Sequence, residues 1–408
     1  MSKLAVKGGE PVRRKAFPKW PVFDGKELKA LKEVLYSGVW GIGGAKKKEF
    51  EEKFAGYQDA QYGVAVTNGT TALVIGLRAL NIGVGDEVIM PAYTFMATPA
   101  AVLHVGALPV FVDIDPDTYN MEPAKMEAAI TDKTRAVLPV HIGGCPADMD
   151  EIPRIAKKNH LFVLEDACQA WAAEWRNRKV GAIGDLGAFS FQSSKNITSG
   201  EGGMVVTNDR KLYELCWSYH NCGRVMEGTW YRHDLLGSNY RMTEFQAAIL
   251  LAQLSRLGEQ TAKRNSNARY LSEKLAKIDG VKPLRRYPKV TTHAYHLYIF
   301  RYDASAFGGL ARAKFIEALR AEGIPCSSGY APLHKERFMQ NLINDPLLSR
   351  DYGEKVNFGR LTLPATEKAC LEEAVWLYQY MLLGSKDDMD DIVGAIVKVK
   401  ENAHELIS

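Results

Sequence analysis

Residues 63–90 read GVAVTNGTTALVIGLRALNIGVGDEVIM, and within them two short apolar runs, 63–67 and 87–90, flank a segment with helical spacing. Similar apolar runs recur further along the chain, at 109–113, 136–140, 161–164, 188–191 and 204–207. Uninterrupted apolar runs of this length are typical of strands that are covered on both faces. Because these strands alternate with helices, the sequence predicts an α/β fold with a mostly parallel sheet of about seven strands.

The segments between the runs predict the helices that cover the sheet. Their apolar residues follow helical spacing at 70–81, 96–105, 123–131 and 149–159. Only a glycine-rich loop separates the last two apolar runs, which leaves little room for a helical crossover. We therefore expect at least one antiparallel strand at that point of the sheet.

The regular alternation of strands and helices ends with a long helical pattern at 242–276. The region that follows is mixed, with a strand-like run at 294–300 and an amphipathic helix near 311–322. We predict an N-terminal arm, a large α/β domain and a smaller C-terminal α+β domain, at 1–30, 31–260 and 261–408.

The composition excludes several classes of protein. The 408 residues carry 52 Lys and Arg against 48 Asp and Glu, a surplus too small for a nucleic-acid-binding face. The sequence contains no run of about 18 apolar residues, the length needed to span a membrane. Its N-terminus lacks the apolar core of a secretion signal. Six cysteines without a C-x-x-C pair predict reduced thiols and no metal site. We expect a cytoplasmic enzyme with no nucleic-acid or membrane partner.

Ligands of parallel sheets bind at the carboxyl ends of the strands, so the residues that follow each strand are the first candidates for a site. Residues 67–72, TNGTTA, follow the first strand and open a helix. Free backbone N–H groups and the helix dipole favour a phosphate at such a position. The alternative is an ordinary helix cap in which Asn68 or Thr70 is the capping residue.

Two ionisable side chains follow later strands of the same sheet. Asp166 ends the run LFVLED, where a carboxylate can hold a cationic ligand nitrogen or cap the next helix. Lys195 lies in a loop between two strands, among glycines and hydroxylated residues. A desolvated lysine there can form a Schiff base, whereas the alternative is a solvated loop lysine. An anion site, a strand-end Asp and a loop Lys together are what pyridoxal phosphate (PLP) requires.

The chain resembles the DegT/DnrJ/EryC1/StrS family of fold-type I PLP-dependent aminotransferases, which act on keto-sugars and cyclitols. The similarity extends from about residue 15 to the C-terminus and is densest between 60 and 255. The strings that carry it are, in chain order, TNGTTAL, PAYTFMAT, LEDACQA, FSFQSSKNITSGEGGMVVT and GSNYRMTEFQAAILLAQL. The lysine-centred string is highly specific in this combination.

The resemblance implies a role for each matching residue. Lys195 would bind the PLP aldehyde covalently and later move a proton, and Asp166 would bind the pyridine nitrogen. Gln169 would hydrogen-bond the phenolic oxygen of PLP, and Phe95 would stack on its ring. Some relatives carry histidine in place of the lysine and dehydrate sugars, so Lys195 favours transamination.

The resemblance also implies how phosphate and substrate are held. The phosphate would accept hydrogen bonds from the backbone of Gly69 and Thr70 and from the hydroxyl of Ser190. Asn239 would reach the phosphate of the neighbouring subunit, which implies a homodimer with shared active sites. The resemblance also makes Tyr330, His334 and Arg241 candidates for contact with the substrate. Arg241 could bind the carboxylate of the amino donor or form a structural salt bridge.

The acceptor is the least determined part of the prediction. Residues 220–224, 237–240 and 366–370 resemble a subgroup that aminates inosose-type cyclitols, commonly with glutamine. Trp171 replaces a histidine found in many relatives and either reshapes the pocket or packs beneath the cofactor. We expect ping-pong transfer from L-glutamine or L-glutamate to a keto-cyclitol such as an inosose. The alternative acceptor is a nucleotide-linked keto-sugar.

Two other classes of function fit the sequence less well. A nicotinamide-dependent oxidoreductase needs a G-x-G-x-x-G turn after the first strand. At that position this chain has TNGTTA, residues 67–72, which does not match the motif. The glycines of 41–46, GIGGAK, break that pattern at its last position. A non-catalytic PLP-binding regulator would ordinarily carry a helix-turn-helix, for which residues 1–30 have neither the length nor the pattern.

Overall fold

The computed structural model describes residues 3–229 and 231–407. Its strands are short. In chain order they are β1 (Tyr62–Val66), β2 (Glu87–Pro91), β3 (Leu108–Val112), β4 (Thr134–Val137), β5 (Phe162–Asp166), β6 (Glu174–Trp175), β7 (Arg178–Lys179), β8 (Leu186–Ser190), β9 (Gly203–Thr207), β10 (Val281–Pro283), β11 (Val290–Thr292), β12 (Leu297–Tyr302) and β13 (Ala374–Tyr378). Strands β2, β8 and β9 are buried along their whole length.

Seven of these strands form the main sheet, in the order β1-β9-β8-β5-β4-β2-β3. Strand β9 runs antiparallel to both β1 and β8, while β8, β5, β4, β2 and β3 pair in parallel. The predicted α/β class, the seven mostly parallel strands and the antiparallel strand after the glycine-rich loop are thus confirmed. In the parallel set the carboxyl ends of β5 and β8 lie side by side, because Asp166 pairs with Ala188.

The helices alternate with these strands and then dominate the C-terminal half. In chain order they are α1 (Gly25–Ser37), α2 (Ala45–Tyr57), α3 (Gly69–Ala79), α4 (Ala97–His104), α5 (Pro123–Ala128), α6 (Glu151–Lys158), α7 (Arg210–His220), α8 (Glu244–Leu275), α9 (Arg312–Ala321), α10 (Arg337–Asn341), α11 (Pro346–Tyr352), α12 (Pro364–Lys368), α13 (Lys386–Glu401) and α14 (His404–Ile407). Each of the six predicted helices matches one of them to within three residues at either end. None of the helices in the described part of the chain is both long and apolar enough to cross a membrane.

Local sequence signals set where the helices next to the site begin. The Asn68 side chain accepts a hydrogen bond from the Thr71 N–H at 2.8 Å and so caps α3. Thr243 and Gln246 form a reciprocal capping box at the start of the 32-residue α8. These caps fix the positions at which α3 and α8 enter the fold.

Apolar residues cover the main sheet on both faces, which explains why its strands are continuous apolar runs. On one face, α2 packs against β8 through four buried rings, whose centroids lie 5.1 to 5.5 Å apart at tilted or edge-on angles. These rings belong to Phe50, Phe54, Phe189 and Phe191. Edge-on rings at such distances add to the stability from burial alone.

The C-terminal half forms a second, antiparallel sheet in the order β10-β12-β13, packed against α9 and α13. The N-terminal segment joins this part of the molecule: Leu4 is fully buried in its core, and Phe17 is nearly so. Within the predicted arm, 1–30, helix α1 already begins at Gly25. The domain limits at residues 30 and 260 stay a prediction.

Candidate active site

A cavity of about 1040 Å³ opens at the carboxyl ends of β5 and β8. The C-terminal half contributes Trp376 and Gln379 to its wall, and the N-terminal segment contributes Trp20. Most of the residues predicted to form the site line this one cavity: Gly69, Thr70, Phe95, Asp166, Gln169, Ser190, Lys195 and Tyr330.

The N-terminus of α3 forms one end of the cavity. Within the described residues, the N–H groups of Gly69 and Thr70 donate no hydrogen bond, because the Asn68 cap reaches only Thr71. A Cβ on Gly69 would lie 2.8 Å from the Ser190 Cβ, so the backbone approaches the hydroxyl closely only because residue 69 is a glycine. The cap and the anion site are therefore compatible, with free N–H groups beside a serine hydroxyl.

Asp166 lies at the end of β5 and is buried, with 6% of its surface exposed. Its Oδ2 accepts a hydrogen bond from the Thr98 hydroxyl at 2.8 Å, and its Oδ1 accepts one from the Cys168 N–H at 3.2 Å. These two donors orient the carboxylate at the cavity wall. An oriented, buried carboxylate at a cavity wall suits a cationic ligand group, which would supply its counter-charge.

Lys195 lies in the loop between β8 and β9, which turns back through a hydrogen bond from the Lys195 N–H to the Gln192 carbonyl at 2.9 Å. Its Nζ lies 5.8 Å from the centroid of the Trp171 ring and forms no ion pair with the described residues. Burial lowers the pKa of the Lys195 amine, and the nearby Cys168 and Asp166 offset part of that effect. A desolvated amine of this kind is more readily neutral, and hence nucleophilic, than a surface lysine.

Gln169 and Tyr330 connect the two halves of the cavity wall. The Gln169 Oε1 accepts a hydrogen bond from the Gly143 N–H at 2.7 Å, and its Nε2 donates to the Tyr330 hydroxyl at 2.9 Å. One hydrogen of the Gln169 amide nitrogen remains available to a ligand, because an amide nitrogen carries two.

Aromatic rings form the wall on the side of β13. The Trp376 indole N–H donates to the Tyr93 hydroxyl at 2.9 Å, and the Tyr330 ring meets the indole edge-on at 4.6 Å. A Cβ on Gly329, at φ +79°, would lie 2.4 Å from the indole, so glycine lets the ring lie against the backbone. These contacts fix the plane of Trp376 in the cavity wall.

Three predicted residues lie away from the Lys195 cavity within this chain. Asn239 and Arg241 line a separate, smaller cavity of about 230 Å³. Arg241 donates to the Asn221 side chain at 3.0 Å. His334 is fully buried and hydrogen-bonds Glu367 at 2.9 Å. In the single chain, then, the structure does not bring these residues to Lys195.

Sequence reasoning did not single out Thr98, Trp376 or Gln379. Thr98 is the last residue of the string PAYTFMAT, but the sequence does not show that it faces Asp166. Trp376 belongs to β13, a strand that the sequence pattern did not reveal, and Gln379 directly follows that strand. Trp171, left open between two roles, is fully buried beside His296 and therefore packs.

The model of the DegT/DnrJ/EryC1/StrS aminotransferase family matches residues 21–396 of the chain. The chain belongs to this family. The match covers nearly the whole molecule, including all three sheets of the described residues and every residue that lines the Lys195 cavity except Trp20. It favours an aminotransferase over the nicotinamide-dependent enzyme and over the non-catalytic regulator.

Full-length relatives and solved structures agree with this membership. A Streptoalloteichus tenebrarius protein provisionally named L-glutamine:3-amino-2,3-dideoxy-scyllo-inosose aminotransferase is 41% identical, over 99% of both chains. The L-glutamine:2-deoxy-scyllo-inosose aminotransferase of the same organism is 38% identical, again over 99% of both chains. The crystal structure of 3-amino-5-hydroxybenzoic acid synthase superposes with a TM-score of 0.86 at 32% identity, over 96% of this chain and 100% of that one.

The desolvation of the Lys195 amine leads to a testable expectation about its pKa. Replacing Asp166 by Asn removes a negative charge that raises the pKa of Lys195, so the pKa should fall further below its usual range. The measurement is competitive acetylation of the cofactor-free protein across pH, with each lysine quantified by mass spectrometry. In the wild type Lys195 should become reactive at lower pH than exposed lysines, and at still lower pH in D166N. Equal titration of Lys195 and exposed lysines would contradict its burial.

Proposed function

We propose that this chain is a PLP-dependent aminotransferase that transfers the amino group of L-glutamine to a keto-cyclitol, with L-glutamate as the less favoured donor. The observation that carries the proposal is the convergence of Lys195, Asp166 and the free N–H groups of α3 in one cavity. The relatives at 41% and 38% identity bear names of glutamine-dependent inosose aminotransferases. The cytoplasm stays the expected location.

The residues of the cavity fit PLP. The two unpartnered N–H groups and the Ser190 hydroxyl suit a phosphate, and a Cβ on Gly69 would fill that space. The buried Asp166 carboxylate suits a protonated pyridine nitrogen. Phe95, which is 56% exposed and lines the cavity, offers a ring face to the cofactor.

Each side chain has a distinct task in the proposed reaction. When bound, PLP supplies an aldehyde that exchanges amines and a ring that withdraws electrons from the breaking bond. Asp166 keeps the ring nitrogen protonated, with Thr98 and Cys168 holding the carboxylate in place. Lys195 would hold the cofactor aldehyde, and once the donor amine displaces it, its neutral Nζ would accept the proton that leaves the donor α-carbon and donate it to the cofactor carbon that held the aldehyde.

The proposed acceptor is a carbocyclic ketone. The relatives with the highest identities act, by their names, on scyllo-inososes, which are small polyhydroxylated rings. Trp376 and Tyr330 form an aromatic wall, held from behind by Tyr93, against which such a ring can pack its C–H face. A nucleotide-linked keto-sugar is the competing acceptor, and the experiment below includes it.

We further propose that the enzyme is a homodimer in which Asn239 completes the site of the partner subunit. Asn239 is exposed and does not line the Lys195 cavity of its own chain. Large apolar side chains near the N-terminus are also exposed, including Phe23, Tyr36 and Trp40 at 74, 83 and 52%. A second copy that covers these side chains would remove apolar surface from water.

The proposed function predicts two separable half-reactions. L-Glutamine should convert the yellow, PLP-loaded protein to its pyridoxamine form, and 2-deoxy-scyllo-inosose should restore the visible absorption. Lys195→Ala and Lys195→Arg should both lose turnover by at least about 10²-fold, the effect of losing a general acid–base group. Stopped-flow absorption spectroscopy measures both half-reactions.

Lys195→Arg is the matched control, because it preserves the positive charge and the bulk of the side chain but not the nucleophile. A nucleotide-linked keto-sugar that restores the absorption faster than the inosose would overturn the acceptor proposal alone. Failure of every amino donor to change the absorption of the PLP-loaded wild type would overturn the aminotransferase proposal.

The shared site makes a second prediction, about mixed dimers. Asn239→Asp, which places a negative charge beside the phosphate, and Lys195→Ala should each be inactive alone. When the two variants are co-expressed at equal levels, half of the dimers should contain one copy of each variant. Each mixed dimer would have one intact site out of two, so activity should recover to about a quarter of wild type. If Asn239 served its own chain, every site in the mixed dimers would carry a lesion and no activity would return.

A further inference from the structure

Arg264 of α8 is a buried cation without a counter-charge. Its exposed fraction is zero, and it forms no ion pair with the described residues. Burial lowers the pKa of its guanidinium to about 9. One of its nitrogens, Nη1, is buried and lacks any hydrogen-bond partner. Burying a charge in this way is costly unless an anion compensates it.

The strongest contact of Arg264 orients the side chain of Gln379. The Gln379 Oε1 accepts hydrogen bonds from the Arg264 Nη2 at 2.5 Å and from its Nε at 3.1 Å. Because a guanidinium only donates, the amide must turn its oxygen toward Arg264. The Gln379 Nε2 then faces the other way, and it is a buried donor with no partner.

Gln379 lines the same cavity as Lys195, although it comes from the end of β13. Trp20 closes this region: its ring centroid lies 5.5 Å from the Arg264 guanidinium carbon, and its N–H donates to the Ser193 carbonyl. His296 also lines the cavity. Its pKa is lowered well below the usual range by burial and also by the charges of Lys195 and Arg264. Positive potential therefore reaches this end of the cavity.

We propose that the Gln379 end of the cavity binds the carboxylate of the amino donor, with the Gln379 Nε2 donating to a carboxylate oxygen and Arg264 compensating its charge. This inference rests on the proposed function, because it presumes an amino-acid donor. Gln379 touches the ligand, whereas Arg264 acts through the amide and through its charge.

A carboxylate fits this place better than a hydroxyl of the ketone does. A neutral hydroxyl would satisfy the Gln379 donor but leave the Arg264 charge uncompensated. The other acids that line the cavity do not compensate it: Asp166 bonds to Thr98 and Cys168, and Glu201 is exposed. Arg241, the sequence-based candidate for this carboxylate, lines a different cavity of its chain.

The test is Gln379→Glu, measured in the two half-reactions separately. Glutamate keeps the size of the side chain and can still accept from Arg264, but it lacks the amide donor and repels an anion. The KM for L-glutamine in the donor half-reaction should rise by about 30-fold or more, the loss expected when a charge contact is removed. The half-reaction of the pyridoxamine form with the inosose should change by less than about threefold.

Two further variants distinguish the effect of the Arg264 charge from that of the direct contact between Gln379 and the donor carboxylate. Gln260 accepts from the Arg264 Nη2 at 3.5 Å and does not line the cavity, so Gln260→Glu should weaken glutamine binding through charge alone. Gln340→Glu, the same substitution on an exposed side chain outside the cavity, is the matched control and should leave both half-reactions unchanged. Thermal unfolding of each variant checks that the fold is intact.

A donor analogue supplies the second readout. In the wild type, L-glutaminamide, which has a neutral amide in place of the α-carboxylate, should react much more slowly than L-glutamine. In Gln379→Glu that preference should shrink. An unchanged preference, or a defect confined to the inosose half-reaction, would overturn the carboxylate site while leaving the aminotransferase proposal intact. If the wild type reacts with no donor, the proposed function itself fails.

Discussion

The burial of one amine beside one carboxylate is the arrangement on which the candidate site depends. Desolvation lowers the pKa of Lys195, while Asp166 and Cys168 keep it from falling as far as burial alone would take it. The parallel pairing of β5 with β8 produces this proximity, since Asp166 ends the first strand and the Lys195 loop follows the second. A change of register in that pair would separate the groups that the chemistry needs together.

Distant parts of the chain build the two sides of the cavity. The N-terminus of α3 and the ends of β5 and β8 supply the anion site, the acid and the amine. The C-terminal half supplies Tyr330, Trp376 of β13 and Gln379, which follows β13. Helix α8 supplies Arg264, which lies 115 residues from Gln379 in sequence. The first side suits a cofactor and the second a substrate, so cofactor and substrate recognition come from different regions of the sequence.

This division explains what the sequence could predict. Asp166, Lys195 and Gly69 follow continuous apolar strands, and ligand groups concentrate at the carboxyl ends of such strands, so position alone indicated them. Trp376 and Gln379 follow no comparable signal, because a five-residue antiparallel strand lies among short helical turns. The contact of Gln379 with Arg264 depends on tertiary packing, which periodicity does not encode. For Asn239, Arg241 and His334 the resemblance suggested roles that the single chain does not bring to the cavity.

The most direct test of the central claim locates the cofactor on the chain. The purified protein is loaded with PLP, reduced with borohydride, digested and analysed by tandem mass spectrometry. We expect the added cofactor mass on the peptide that contains Lys195 and on no other lysine in stoichiometric amount. Stoichiometric label on a different lysine, or a reduced protein with no label, would contradict it.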